Sequence, residues 1–158
     1  MPLRSLFASL VLLAGAATVL AAATLPADVT ARARGANRVV VAEVTDVTPR
    51  FDVNEHGDRL IISRVLLQVE ETLKGTASPI VEMDVEGGTI GDLTLKVSDL
   101  PVIRRGERGV FFLSAASAGV HRPNGRGDGI LMLDASNRVA GEALSLADVR
   151  AAVRSARQ

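Results

Sequence analysis

Glu82, Asp84 and Glu86 place three carboxylates at alternate positions of one short run. On an extended backbone, alternate residues share a face, with neighbouring side chains about 7 Å apart. Two such carboxylates can serve as a hydrolytic acid and base, or as oxygen ligands for calcium. Carboxylate chemistry on sugars also needs a platform of aromatic rings, and the chain has no Trp, no Tyr and 4 Phe. The solvated outer face of an antiparallel strand gives the same alternation. The expectation is therefore that all three are exposed and structural, and that replacing Asp84 costs little.

The remaining polar constellations match reactive motifs only in part. Asp52, Asn54 and Gly57 open like a calcium loop, but His56 holds the fifth position and Ser63 stands where a bidentate Glu belongs. A polar hairpin loop accounts for them better. His56 and His121 are the only histidines and have no zinc-ligand spacing. A serine nucleophile would need one of them as its base, and no G-x-S-x-G elbow is present. Arg126-Gly127-Asp128 spells an integrin-recognition tripeptide, inside a glycine-rich stretch that suits a tight β-connection. Arg104, Arg105, Arg108, Arg122 and Arg126 form a basic patch if their loops converge, or pair with the acidic stripe. No catalytic, cofactor-binding or metal-binding residue is assigned, and no cofactor is expected.

Strands must position these groups, because the apolar residues recur mostly with period two. Arg38 to Thr48 is Val-rich and reads as a first strand. Leu60 to Leu73 puts Ile61, Val65, Leu67, Val69 and Leu73 on one face, with Arg64, Gln68 and Glu70 on the other. Ile80 to Glu86 turns Val81, Met83 and Val85 inward. Ile90 to Val97 is expected to turn Leu93, Leu95 and Val97 inward, and Gly109 to Ser114 is a continuously apolar central strand containing Phe112 and Leu113. Ile130 to Leu133 follows, with a hairpin return near Arg138 to Ala140. Ser145 and Asp148 then form an S-x-x-D capping pattern before the helical stripe Leu146, Val149, Val153. Strands at regular spacing with one closing helix predict an all-β fold, a small closed or nearly closed barrel of five to six strands.

The first residues carry an address. Arg4 precedes an apolar run from Leu6 to Leu20 and then Ala21-Ala22-Ala23. This is the form of a cleaved export signal, and the run falls short of the roughly twenty residues a spanning helix needs. The expected organisation is a signal peptide over 1–23, a lead-in over 24–36, a barrel domain over 37–141 and a C-terminal helix over 142–158. The mature chain is expected to begin near Thr24, periplasmic or secreted, with no membrane span after cleavage. There is no cysteine, which closes the lipoprotein route and leaves the fold without disulfides. With 18 basic and 18 acidic residues, no basic excess supports nucleic-acid binding.

A family resemblance rests on the Val-rich strand, Val69-Glu70-Glu71-Thr72-Leu73-Lys74-Gly75, Gly87-Gly88, Leu100-Pro101 and Arg105-Gly106-Glu107-Arg108-Gly109-Val110-Phe111-Phe112-Leu113. This order resembles a group of small exported bacterial domains of undefined function. It is also similar to netrin-like modules and to the inhibitory domain of the tissue inhibitors of metalloproteinases, both built on an OB-type barrel. The resemblance covers roughly Asn37 to Leu133, and implies that Gly75 and Gly106 sit at bends a side chain would block. The animal inhibitors chelate zinc through an N-terminal cysteine; none exists here, so that mechanism does not carry over. The resulting expectation is a non-catalytic binding or accessory module acting on another exported protein. The alternatives are an inhibitor or regulator of an exported protease, and a hydrolase using Glu82, Asp84 and Glu86.

Overall fold

Val39, Val40, Val41, Val44 and Val47 are β-branched residues that favour a pleated backbone, and they seed β1 over Arg38–Val53. The computed structural model describes residues 27–54, 56–116 and 119–157; the expected signal segment and its cut after Ala23 lie outside the described residues. β1 turns back into β2, Arg59–Lys74. At the turn Asn54 Oδ1 accepts hydrogen bonds from the backbone N–H groups of His56 and Asp58. Both strands run past their expected ends, because pairing continues out to Asp52↔Leu60 and Val53↔Arg59. β3, Ile80–Glu86, has the expected bounds, with Val81, Met83 and Val85 buried.

The expected strand Ile90 to Val97 is instead a small hairpin. β4, Gly88–Ile90, pairs with β5, Leu93–Leu95, around Gly91-Asp92. A two-residue turn opening on glycine reverses the chain at once, and Leu93, expected inward, is 57% exposed. β6 covers Arg108–Ala115, β7 covers His121–Pro123 and β8 covers Ile130–Leu133. β7 has no counterpart in the sequence reading, since three residues carry no periodic signal. The expected return near Arg138 to Ala140 is present as the bridges Leu133↔Val139 and Arg138↔Ser145.

Five of these strands close a ring, in the order β1-β2-β3-β7-β6 and back to β1. One edge of β6 pairs with β1 from Arg108↔Glu43 to Leu113↔Arg38. Its other edge takes β8 along its first half and β7 along its end. The result is the expected small all-β, nearly closed barrel.

β6 divides two cores, because alternate side chains of a strand point to opposite faces. Phe111 and Leu113 face the barrel interior with Val40, Val44, Leu67 and Met83. Val110 and Phe112 face outward with Val39 and Val41, beneath two helices. α2, Leu146–Ala156, starts on the predicted Ser145–Asp148 capping box and buries Leu146, Val149 and Val153. α1, Ala27–Gly35, lies within the expected lead-in, for which the sequence reading named no helix. Its buried face consists of Val29 and Ala33, continued by Ala36, and it packs against α2. Of the residues expected inward, Val69, Leu95 and Val97 are half-buried rather than buried, besides the exposed Leu93.

The Lys74-Gly75 bend joins α1 to the barrel. Lys74 Nζ donates to the carbonyl oxygens of Ala33 and Ala36, both at 2.7 Å, a favourable place for a cation at a helix C-terminus. Gly75 has φ +88°, and a Cβ there would lie 2.8 Å from the Asn37 carbonyl oxygen. Gly106 also has a positive φ but faces open space, so conformation alone requires glycine there, and no neighbour blocks a side chain. Among the described residues no helix is long and apolar enough to cross a membrane.

Candidate functional site

β3 and β7 run parallel and meet at one ladder pair, Met83↔His121, where His121 Nδ1 lies 3.2 Å from the Glu82 carbonyl oxygen. Where the two strands part, a cleft of about 340 Å³ opens. Asp84 and Glu86 of β3 form one wall, Arg122 and Pro123 of β7 another. Arg50 and Asp52 from the end of β1, Arg64 from β2, and Arg126 complete it.

Strand register explains the meeting of charges. Arg64 stands directly opposite Asp84 across the β2–β3 ladder, and Arg50 reaches over from β1. Its Nη1 and Nη2 donate to the two oxygens of Asp84 at 3.1 and 2.7 Å, and its Nε donates to Asp52 at 2.9 Å. This forked geometry is the strong form of a guanidinium–carboxylate pair. The hydrogen bond to Asp84, more than any other contact, holds the Arg50 pKa above its ordinary value. The Asp52 carboxyl is held below the usual range, first by the backbone N–H of Val53 and then by Arg50.

Arg126 fills the far end. Its Nε donates to Asp99 at 2.6 Å, and its Nη2 lies 3.1 Å from Glu86. The bond to Asp99 is the largest cause of its raised pKa, and in return it lowers the carboxyl of Asp99. Glu86 also accepts from Asn54 Nδ2 at 3.3 Å. Arg64 is different. It lies 3.5 Å from Asp84 and 3.7 Å from Glu82, and its Nε has no hydrogen-bond acceptor among the described residues.

The expected solvated acidic stripe is thus corrected. The side chain of Asp84 is 18% exposed and that of Glu86 24%, against 44% for Glu82. Alternation identifies a second face without saying what covers it; here arginines do. Of the basic residues singled out in the sequence, Arg122 and Arg126 enter the cleft. Arg108 instead binds Glu70 and Asn137, and Arg104 binds Glu107 in its own turn. Arg50, the best-bonded cation of the site, was missed. Its signal was its place on β1, across β2 from the stripe.

The other motifs resolve into structure. Both Asp52 oxygens are occupied, by Val53 N–H and by Arg50, and Asn54 closes its own loop. Among the described residues no group of His, Asp or Glu is arranged to hold a metal ion. Arg126-Gly127-Asp128 lies in a 3-10 turn, Arg126–Gly129. The arginine is turned to Asp99 and Glu86, and a Cβ on Gly127 would run into the Asp99 carbonyl. The tripeptide therefore builds the cleft wall.

A second cleft, of about 410 Å³, opens at the barrel mouth under the β4–β5 hairpin. Val47, Val65, Leu95, Val97, Val102 and Ile103 make it mainly aliphatic, and it shares Val85, Glu86 and Leu100 with the charged cleft. Neither the known family models nor the curated proteins contain a match to this chain.

Proposed function

We propose that the chain is an exported, non-catalytic binding module that engages another exported protein through the cleft between β3 and β7. The observation that carries this reading is a recess walled by guanidiniums and carboxylates that hold one another in place. A recognition surface of fixed charges loses little freedom when a partner arrives. Both Asp84 oxygens already accept from Arg50, and Glu86 is engaged by Arg126 and Asn54. Both carboxylates are thus engaged by neighbouring side chains of the fold, which supports the binding reading. Export is the reading of the N-terminal sequence, and the mature chain then begins near Thr24.

Photocrosslinking tests the proposal. A photoreactive residue at Pro123, on the cleft wall, is expected to trap one defined exported protein in cells. The same residue at Glu142, on an exposed loop outside the cleft, is expected to trap none. Equal adducts from both positions, or none from Pro123, would remove the cleft from the function. Ester, glycoside or peptide turnover that disappears in Glu86→Gln would replace the binding module with an enzyme. N-terminal sequencing of the exported form checks the start near Thr24.

A further inference from the structure

The two clefts share a wall. Val85 and Glu86 of β3, together with Leu100, line both, so a charged recess and an aliphatic one adjoin across that wall, and the pair is called the groove below. Successive side chains of a strand point to opposite faces, which is why adjacent β3 residues serve the two compartments: Asp84 belongs to the ion-pair network, and Val85 belongs to the barrel core.

Among the described residues, Arg64 is a cation of this groove that only stands near its carboxylates. Arg50 and Arg126 donate to carboxylates at 2.6 to 3.1 Å. Among the described residues Arg64 stands at 3.5 Å or more from its carboxylates, its Nε is buried without an acceptor, and its side chain as a whole is 42% exposed. A guanidinium in a partly desolvated wall, attracted to its neighbours without donating to them, gains most from an incoming carboxylate. At the other end Val102 is 51% exposed on the rim of the mouth, and Ile103, Val65 and Val97 lie in it. That compartment offers an aliphatic side chain burial from water.

We infer that the groove takes an extended segment of the partner protein carrying one carboxylate and one aliphatic side chain, the carboxylate on Arg64 and the aliphatic group in the barrel mouth. This rests on the binding-module reading and narrows it to one chemistry of partner. Charge complementarity selects the acid, and the shared wall requires the two side chains to lie close together on one strand of polypeptide.

The chain's own composition supplies the assay. It has no Trp and no Tyr, so one Trp at the end of a probe peptide reports binding against a dark protein. The probes are end-capped Ser/Thr heptapeptides with one Glu and one Leu, separated by one, two or three residues. Each has a Gln-for-Glu and an Ala-for-Leu counterpart, and decanoate serves as a small amphiphile. At least one spacing is expected to bind about tenfold more tightly than both counterparts, a difference of about 1.4 kcal/mol. Arg64→Gln should erase the preference for Glu while keeping that for Leu, and Val102→Asp should do the reverse. Both positions are partly exposed, and unchanged melting temperatures confirm that the variants fold.

Absence of any Glu preference, or its survival in Arg64→Gln, overturns the inference. Decanoate binding with no peptide binding also overturns it, by assigning the groove to a small amphiphile. If every peptide fails while Pro123 still crosslinks to a defined protein, this inference falls and the binding module stands. If Pro123 also traps nothing, both fall.

Discussion

The barrel closes at two seams built on opposite principles. At the β1–β6 seam, six consecutive residue pairs run from Arg38↔Leu113 to Glu43↔Arg108, and apolar side chains are buried on both faces. At the β3–β7 seam, one pair holds, and the groups beside it are charged. The first seam is held by packing that excludes water. The second gives up packing for a recess with fixed charges. The difference teaches that cohesion and the proposed recognition fall on different seams of one ring, so each can be disturbed with limited effect on the other.

The largest expected effect tests the sealed seam. Phe112→Ala should cost about 3–5 kcal/mol, because it empties a fully buried aromatic site beneath α1 and α2. Urea melts measure it, and a loss below 1 kcal/mol would mean that the helices do not rest on this ring. The open seam comes next. Asp84→Ala removes the acceptor of both terminal Arg50 bonds and should cost about 1.5–3 kcal/mol, the range for hydrogen bonds to charged groups. That is more than an exposed stripe would give, and a cost equal to that of Phe112→Ala would dissolve the contrast between the seams.

Smaller effects sharpen the comparison. Ser145→Ala deletes the N-cap of α2 and should cost about 1 kcal/mol, read as a lower midpoint of the whole melt if α2 belongs to the sealed seam. The smallest involves Glu70, on β2, which binds Arg108 of β6 across β1. Arg108 holds its carboxyl below the usual range. A carboxylate with a depressed folded pKa stabilises above its unfolded value of about 4.3 and loses that contribution as pH falls through the folded value. Glu70→Gln should therefore cost roughly 0.2–1 kcal/mol at pH 7, as expected for a partly exposed pair. The gap to wild type should close below about pH 4. Asp52 and Asp99 are lowered too, so acid should weaken the open seam over the same range.

The sequence made the sheet legible wherever one face is apolar. β3 alternates without a fault, and Ser145 and Asp148 mark the start of α2 through local chemistry alone. α1 was not legible, because its buried face uses Val29 and Ala33, residues too small to form a stripe. Leu93 misled because its hydrophobicity suggested a core, whereas the Gly91-Asp92 turn decides where it points. The site was half-legible. Glu82, Asp84 and Glu86 announced themselves, but Arg50 lies 34 positions from Asp84, and only strand register brings them together.

Phe111 and Phe112 stand side by side on β6 and face opposite cores. In most strands a one-residue slip would drive polar groups inward and be rejected at once. A slip of β6 against β1 would exchange one Phe for the other and leave both cores greasy. Hydrophobicity cannot proofread this strand. The check comes from its polar start, where Val44 exchanges backbone hydrogen bonds with Gly106 and Glu107, both 2.8 Å, and where Arg108 locks to Glu70. An inserted residue in the Arg104–Glu107 turn would thus remove the spelling check while sparing the letters. Its signature would be misregistered, aggregation-prone chains during refolding, with little change in the stability of molecules that fold correctly.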